Sequence, residues 1–295
     1  SRLGRYDTIA FDCVAMNVND LLCIGARPIA MVDYLGVHTL DGARVEQILE
    51  GLGAAAKEAG IAVPGGEIAQ LPEVIGSDGT GPGDPSAFDL VGTAIGIVHP
   101  ERLILGRDVS AGDAIIGIAS AGIHSNGLSL ARRVLLAPGA YRLDDHVEEL
   151  GRIVGEELLE PTVIYVRAVV DLWDAGIRTK GLVHVTGDGL ANLSRLEADA
   201  GYLIERIPEP PAIFSLIQRT GELDDAEMFR VFNMGIGFVV VVAPEQQDAA
   251  IERLGARGHR AALLGRVTGE TGLVRIEPAG LVGGLRGSDA YFEPR

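Results

Sequence analysis

The chain has 295 residues, of which 47% are hydrophobic and 22% are charged, so it can form one large domain or two ordinary ones. Its formal net charge of −16 argues against a general nucleic-acid surface, because such surfaces cluster Lys and Arg. We find no signal-peptide pattern and no apolar run long enough to cross a bilayer, so we expect a cytosolic protein without a membrane partner. Cys13 and Cys23 fit small core residues better than a disulfide.

The first hundred residues alternate between helical and strand patterns. Apolar spacing predicts a helix over residues 8–26, a buried strand over 29–37, a helix capped by Asp41 that runs to 59, and an apolar strand over 88–98. A polar loop rich in Gly, Asp and Pro occupies residues 76–86. This order predicts a mixed α/β fold.

The rest of the chain continues the mixed pattern. We predict strands over residues 113–120, 234–242, 261–267 and 273–276, and helices over 128–136, 156–175, 189–196, 212–220 and 246–256. The segment at 99–102 is the best domain boundary, which gives two domains over residues 1–100 and 101–295.

Three polar residues on the first helix form the first candidate site. Asp12 and Asp20 are about two helical turns apart, so both carboxylates can point roughly to one side. Asp20 lies in an apolar stretch, where a carboxylate is costly unless it is paired or binds a cation. We therefore expect Asn19 and Asp20 to contact a metal or phosphate, whereas an exposed face is an equally good interpretation for Asp12.

A glycine pair after a short strand forms the second candidate site. Gly65 and Gly66 would let the backbone approach a ligand, and Glu67 beside them could hold Mg²⁺. The spacing matches neither a P-loop nor a Rossmann fingerprint, so any ATP site must have another architecture.

Two further turns carry histidines. His124, Ser125, Asn126 and Gly127 open a helix after a strand, which suits an anion, although Ser125 could also be a simple N-cap. The second turn covers residues 184–189. Its His184 is either a proton carrier or a core residue, and Thr186 and Gly187 are candidate ligand-binding residues. Asn233, before the glycines at 235 and 237, suggests another close backbone approach. Together these features predict metal-assisted phosphate chemistry on a small molecule.

Read together and in order, these motifs resemble the phosphoribosylformylglycinamidine cyclo-ligase (AIR synthetase) family. The matching segments are residues 7–22 (DTIAFDCVAMNVNDLL), 25–28 (GARP), 33–34 (DY), 65–67 (GGE), 120–127 (SAGIHSNG), 159–166 (LEPTVIYV), 184–187 (HVTG) and 227–237 (EMFRVFNMGIG). Each motif is modest alone, but their ordered occurrence along nearly the whole chain is specific.

The resemblance implies a two-domain α/β subunit whose N-terminal domains form a β-barrel across a homodimer. It implies ATP and Mg²⁺ as cofactors, a phosphorylated small-molecule substrate, and cyclisation of formylglycinamidine ribonucleotide to aminoimidazole ribonucleotide. On the matched positions, Asp20 and Glu67 would hold Mg²⁺–ATP, residues 124–127 would bind a phosphate or the substrate, and His184 would handle a proton or contact the substrate. His184 and His124 are thus the catalytic candidates.

Two departures from the family pattern stand out. The usual run of three glycines after His-Val-Thr is interrupted by Asp188, whose charge would weaken phosphate binding or attract a further cation. The family's N-terminal glycine-rich segment with its Asp-Gly-Val-Gly-Thr-Lys motif does not precede Ser1, and we expect it to be missing from this sequence and not lost from the protein.

Other readings stay open at this point. Related enzymes of the same superfamily, such as thiamine-phosphate kinases, selenophosphate synthetases and hydrogenase-maturation dehydratases, share the fold, and fold does not fix function. A non-catalytic nucleotide-binding homologue is the alternative from a different functional class.

Overall fold

The computed structural model describes residues 1–76 and 83–295 as a mixed α/β protein with a three-stranded sheet, an eight-stranded sheet and a two-stranded sheet. Its α-helices are α1 (Ile9–Cys23), α2 (Gly42–Ala59), α3 (Leu128–Leu135), α4 (Val154–Leu158), α5 (Val166–Asp174), α6 (Ala212–Gly221), α7 (Asp225–Val231) and α8 (Gln247–Ala256). Its strands are β1 (Arg27–Val37), β2 (Gly66–Gln70), β3 (Phe88–Ile97), β4 (Ala114–Ala119), β5 (His146–Val147), β6 (Arg152–Ile153), β7 (Thr179–His184), β8 (Gly201–Ile204), β9 (Ile236–Val242), β10 (Ala261–Thr268), β11 (Leu273–Ile276), β12 (Leu281–Arg286) and β13 (Asp289–Pro294). The predicted polar loop lies partly outside the described residues, which omit 77–82.

The smaller sheet has the order β2-β1-β3, with β1 parallel to β2 and antiparallel to β3. One face of this sheet lies against α1. At Gly92 on β3 an added Cβ would stand 2.8 Å from Asn17 Nδ2 and 3.1 Å from Cys13 Sγ, so the helix packs directly on the strand there. Glycine at this position is what allows so close an approach.

The larger sheet has the order β13-β12-β11-β8-β10-β4-β9-β7 and is buried on both faces at its centre. Alternate residues of β9 enter different cores: Val239 and Val241 pack with the cluster that includes α6, whereas Phe238 and Val240 pack with α1 and α5. This is the period-two alternation of a strand, with apolar residues at both phases. Because Val18 of α1 joins the second cluster, α1 is shared between the two sheets.

Most of the predicted elements are confirmed, including the fold class. The Asp41 side chain caps α2 by accepting hydrogen bonds from the N–H groups of Ala43 (3.0 Å) and Arg44 (3.3 Å), and Gly60 ends it with φ +73°. Strand β11 has the predicted bounds, and α1, β1, β3, β4, β9 and β10 agree within about three residues. Within the described residues, no helix has the length and apolar character needed to span a bilayer.

One predicted helix is wrong. The pattern over residues 156–175 forms two helices, α4 and α5, separated by an irregular segment that contains Pro161, a residue that cannot continue a helix. The predicted helix at 189–196 is a 3₁₀ helix, Gly189–Arg195. Strands β2, β5, β6, β8, β12 and β13 and helix α7 were not predicted, because their apolar patterns are short or broken by glycine and charge.

Candidate active site

Helix α1 positions the site because it is hydrogen-bonded to the segment between α4 and α5. Asn19, which is fully buried, donates from Nδ2 to the Val163 carbonyl (2.9 Å) and accepts at Oδ1 from the Tyr165 N–H (3.0 Å). A single amide side chain thus satisfies two backbone groups that would otherwise be buried without a partner. Asn19 therefore stabilises the irregular segment after Pro161, because its amide group replaces two of the hydrogen bonds that a helix would have supplied.

Asp12 makes a second link from α1 to the same segment. Its Oδ1 accepts hydrogen bonds from the Thr162 N–H (2.8 Å), the Thr162 hydroxyl (2.6 Å) and the Ser125 hydroxyl (3.1 Å). Burial raises the pKa of the Asp12 carboxyl above its usual range, while the hydrogen bonds from Thr162 and Ser125 oppose that rise. These contacts argue against the metal role predicted for Asp12, since the carboxylate already fastens α1 to two other segments.

Asp20 reaches His184, which is 164 residues further along the chain. Asp20 Oδ1 lies 2.9 Å from His184 Nδ1; the imidazole side chain is only 2% exposed, whereas that of Asp20 is 64% exposed. A carboxylate oxygen only accepts, so Nδ1 carries the hydrogen and Nε2 faces the Asn19 amide nitrogen at 3.5 Å. The structure therefore joins Asn19, Asp20 and His184, three residues that the sequence singled out separately.

His124 is buried and takes part in a different set of contacts. Its Nε2 accepts from the Ala121 N–H at 3.1 Å, its Nδ1 has no partner, and its backbone φ is +61°. Burial lowers the pKa of His124 to about 3, with the nearby His184 as a further cause. The ring is therefore neutral near pH 7 and holds the turn, while the catalytic role and the phosphate or substrate contact predicted for His124 stay predictions.

The turn that carries His124 is held by Asn233. The Asn233 amide donates to the carbonyls of Gly122 (2.9 Å) and Ile123 (3.0 Å), and its oxygen accepts from the Ser120 hydroxyl (2.9 Å). Asn233 is 3% exposed and its amide is fully engaged. It therefore shapes the turn from within, which differs from the direct ligand contact predicted from the sequence.

The two predicted glycine-rich turns come together. A Cβ added at Gly187 would lie 3.6 Å from Asn126 Oδ1, so residues 125–127 and 186–187 are neighbours. Gly127 has φ +85° and lies against the Phe232 ring, while the Ser125 hydroxyl is taken up by Asp12 and Thr162. Ligand binding stays a prediction for Ser125, Asn126, Gly127, Thr186 and Gly187. Because the Ser125 hydroxyl already has partners, Ser125 would contact a ligand through its backbone N–H group.

The Gly65, Gly66 and Glu67 segment lies elsewhere, at the start of the edge strand β2. Gly66 is paired with Asp33 of β1, and any side chain at Gly66 would meet the Asp33 carboxylate. Glu67 is exposed and accepts from the Ile68 N–H at 3.1 Å. No recorded contact joins these residues to Asp20 or His184, so their predicted role at Mg²⁺–ATP stays a prediction.

Two cavities lie near these residues. The first cavity has a volume of about 290 Å³ and is lined by Asp20, His184, Thr186 and Arg195, among others. The second has a volume of about 370 Å³ and is lined by residues of α1, including Asp20, and by Ala94 of β3. A cavity of about 840 Å³ lies instead along the segment joining the two sheets, and three of the arginines that line it are paired with carboxylates, as Arg178 is with Asp108. We place the candidate site at the two cavities that share Asp20, because only they adjoin the Asp20–His184 pair.

Mg²⁺ was predicted from the carboxylates, and the described residues contain no cluster of three His, Cys, Asp or Glu side chains able to hold a metal by themselves. Mg²⁺ does not need such a cluster, since it commonly binds through one or two carboxylates together with the phosphates of a substrate. Asp20 fits that mode, because its second oxygen has no partner among the described residues.

Three residues of the site were missed by sequence reasoning. Thr162 and Tyr165 lie in a segment that was noted only as a motif, and Arg195 lies in the predicted helix at 189–196. The buried amide of Asn19 was the available signal for Tyr165, and the carboxylate of Asp12 on the same apolar helix was the signal for Thr162, since such groups require distant partners.

Comparison with known proteins identifies the family. Residues 3–98 match a family model described as AIR synthase related protein, N-terminal domain, and residues 110–276 match the corresponding C-terminal domain. The chain belongs to the AIR synthase related family. The resemblance drawn from its motifs is thereby confirmed.

Several relatives in this family are phosphoribosylformylglycinamidine cyclo-ligases. That of Methanothermobacter thermautotrophicus is 46% identical over 93% of this chain and 77% of its own length. That of Thermococcus gammatolerans is 48% identical over 95% of this chain and 78% of its own length.

Solved structures support the fold. The hydrogenase maturation protein HypE covers 95% of this chain and 84% of its own at a TM-score of 0.68 and 22% identity. The thiamine-monophosphate kinase from Stenotrophomonas maltophilia covers 92% of this chain and 79% of its own at a TM-score of 0.67 and 20% identity. A further HypE structure is a complex with ATP. It covers 90% of this chain and 75% of its own at a TM-score of 0.65 and 22% identity. At these identities the likeness concerns the fold alone.

Proposed function

We propose that the protein catalyses the ATP-dependent cyclisation of formylglycinamidine ribonucleotide to aminoimidazole ribonucleotide, with release of ADP and phosphate. The observation that carries the proposal is the Asp20–His184 pair beside a cavity, in a chain whose cyclo-ligase relatives are 46–48% identical over 93–95% of its length. A cytoplasmic location stays a prediction of the sequence.

The reaction would proceed in two steps. The formyl oxygen of the substrate first attacks the γ-phosphorus of ATP, which releases ADP and leaves a phosphorylated oxygen on the formyl carbon. The neighbouring amine nitrogen then attacks that carbon, the ring closes, and the phosphate departs with the former formyl oxygen while the nitrogen loses a proton. Positioning and charge stabilisation are the protein's main contributions in such phosphoryl transfers.

The residues around α1 would divide these tasks. Asp20 would direct its free carboxylate oxygen to Mg²⁺–ATP while its other oxygen holds the His184 ring. His184 and Asp20 share the hydrogen bond through which the proton released at ring closure can leave the site. Asn19 would keep both in place by fixing α1 to Val163 and Tyr165.

Bound Mg²⁺ would supply positive charge at the transferring phosphoryl group. Asp20 is its best-supported ligand, and Glu67 is the second ligand that we propose. The neighbouring turns at residues 125–127 and 186–187 offer backbone N–H groups for phosphate oxygens, which suits a chain whose net charge of −16 repels phosphates.

We further propose that the protein is a homodimer joined through the smaller sheet. The face of β1 and β3 that points away from α1 exposes large apolar side chains, with Val32 at 42%, Val91 at 45%, Ile95 at 54% and Ile97 at 63% exposure. An exposed apolar sheet face of this kind is typical of an interface. It fits the predicted β-barrel formed by two N-terminal domains.

The experiment that tests the activity is an assay of the full-length protein with ATP, Mg²⁺ and formylglycinamidine ribonucleotide, with detection of the aminoimidazole product. We expect product with one ADP for each ring closed. Tight ATP binding without product would contradict the proposal and favour a kinase or a non-catalytic binding protein.

The Asp20→Asn variant tests the site within the same assay. Because the amide cannot act as an anionic metal ligand, we expect Mg²⁺–ATP affinity by calorimetry to fall at least about tenfold. The control is Glu50→Gln, an exposed carboxylate on α2, which should leave that affinity unchanged. Equal affinities for wild type and Asp20→Asn would remove Asp20 from the nucleotide site.

A further inference from the structure

Arg195 is the one Arg or Lys among the described residues that line the 290 Å³ cavity beside His184 and Asp20. Of the two carboxylates that line the cavity, Asp20 is bonded to His184, and Glu197 is already paired with Arg107 at 2.7 Å. Arg195 is therefore the available positive charge next to the Asp20–His184 pair, in a chain whose overall charge is strongly negative.

Asp188 holds Arg195 from seven residues away. Arg195 Nη2 donates to Asp188 Oδ2 at 2.8 Å, and this is the hydrogen bond that the structure records for the guanidinium, whose side chain is 57% exposed. A guanidinium carries five N–H donors in a planar fork, so most of its donors stay available to a ligand.

The backbone at Asp188 indicates that this pairing is maintained against strain. Asp188 has φ +74°, a left-handed conformation that costs a residue with a side chain free energy which glycine would not lose. The turn is also held by Asn192, whose amide donates to the carbonyls of Gly187 (2.8 Å) and Gly189 (3.0 Å). The structure thus keeps a strained aspartate where the family pattern has glycine, and that aspartate fixes the arginine at the cavity.

We propose that Arg195 binds a phosphate group of a substrate in this cavity and that Asp188 is the positioning residue for Arg195. The inference rests on the proposed function and identifies one of its phosphate-binding residues. A phosphate oxygen pair matches the guanidinium fork, and phosphate's higher charge competes well with a single carboxylate. We therefore expect Asp188 to favour phosphate binding and not to weaken it, because Arg195 neutralises the charge of Asp188.

Two phosphate sources exist, the ribonucleotide and ATP, and steady-state kinetics with each substrate varied separately distinguishes them. We expect Arg195→Ala to raise KM for one of the two substrates at least tenfold while kcat changes less than threefold. Arg195→Lys keeps the positive charge but loses the planar guanidinium fork, so its KM should lie between those of the wild type and Arg195→Ala. Asp188→Asn, which suits the left-handed backbone but removes the charge, should raise the same KM about threefold and add little to Arg195→Ala in the double variant.

Calorimetry gives a readout that does not depend on turnover. The wild type should bind the ribonucleotide, ATP or inorganic pyrophosphate, and Arg195→Ala should weaken binding of the affected ligand at least fivefold. The matched control is Arg219→Ala, because Arg219 is a similarly exposed arginine that is paired with Glu149 and does not line the cavity; this variant should bind as the wild type does. An unchanged affinity in Arg195→Ala, or a wild type that binds none of the three phosphate compounds, would overturn the proposal. Binding that depends on Arg195 without formation of product would instead keep this inference and reject the proposed activity.

Discussion

His124 and His184 lie close enough to affect each other's charge, yet their surroundings assign them different tasks. His124 is enclosed and holds backbone N–H groups, and burial lowers its pKa to about 3. His184 is equally buried, but its Nδ1 hydrogen points to Asp20, which is exposed to solvent. An imidazole that accepts a backbone hydrogen bond in an enclosed site stays neutral, whereas one that donates to an exposed carboxylate has a hydrogen-bonded connection to solvent.

The neutral state of His124 predicts a pH-dependent contribution to stability. The folded-state pKa lies below the unfolded value near 6.5, so the unfolded chain binds an extra proton between about pH 6.5 and 3, and stability falls as pH falls through that window. The slope from this one group is at most about 1.4 kcal/mol per pH unit. In His124→Asn, which tolerates a positive φ, we expect this part of the slope to disappear in urea unfolding at pH 4.5 to 7.5.

The exposed His146 on β5 provides the control for that experiment. The stability curve of His146→Asn should run parallel to the wild-type curve, while the wild-type and His124→Asn curves should converge as the pH is lowered. Parallel curves for all three proteins would show that His124 is not buried in its neutral form.

At the scale of elements, α1 was predicted from its apolar spacing, but the partners of its polar residues were not. The sequence indicated that Asn19 and Asp20 needed partners, because polar groups on an apolar helix are costly when unpaired. It could not name Val163, Tyr165 or His184, since a hydrogen bond across more than 140 residues depends on how the sheets pack. The partners of Asp12, which are Thr162 and Ser125, were hidden for the same reason, and the metal role predicted for Asp12 stays a prediction.

The missed elements have a local cause. Strand β8 has four residues and is held between β10 and β11, so its conformation is decided by its neighbours more than by its own pattern. The hairpin of β12 and β13 contains glycines that weaken a strand pattern, yet one of them, Gly283, leaves no room for a side chain beside Phe292. Long apolar elements such as β9 were predictable, because burial on both faces leaves a continuous apolar run.

The turn before α3 offers a test of how tightly the site is packed. Gly127 has φ +85°, and an added Cβ would lie 2.6 Å from Phe232 Cδ1, so Gly127→Ala introduces both strain and a clash. We expect it to lower the free energy of unfolding by about 2 to 4 kcal/mol, measured by urea denaturation. Gly139→Ala is the matched control, since Gly139 has φ +87° and open space around it, and it should cost only about 1 kcal/mol. Equal losses would show that the Phe232 contact is not tight.

At the scale of the whole molecule, the described residues leave one apolar face of the smaller sheet uncovered. If that face joins two copies, a charge at Ile95 must be buried in the interface, so we expect Ile95→Glu to convert a dimer to a monomer in light scattering coupled to gel filtration. Leu49→Glu, at a 44% exposed apolar residue of α2, is the control and should stay dimeric. A wild type that is monomeric at micromolar concentration, or a dimer unaffected by Ile95→Glu, would contradict this interface.

A strongly negative protein can still bind phosphates if positive charge and backbone N–H donors are concentrated at the binding site. The net charge of −16 excludes phosphate capture by a general field, and the candidate site relies instead on Arg195, adjoining glycine turns and carboxylates suited to a cation. The glycine turns and isolated carboxylates in the sequence predicted a phosphate and metal site of this general type. It missed Arg195, because an exposed arginine in a helical pattern carries no signal until the fold brings it to a cavity.

The path of the formyl oxygen tests the central claim most directly. Substrate labelled with ¹⁸O at the formyl group should be incubated with the full-length protein, ATP and Mg²⁺, and the inorganic phosphate analysed by mass spectrometry. If the oxygen is activated by phosphoryl transfer, each ring closed delivers one ¹⁸O atom to phosphate. Ring closure with the label found in water and the phosphate unlabelled would contradict the proposed mechanism.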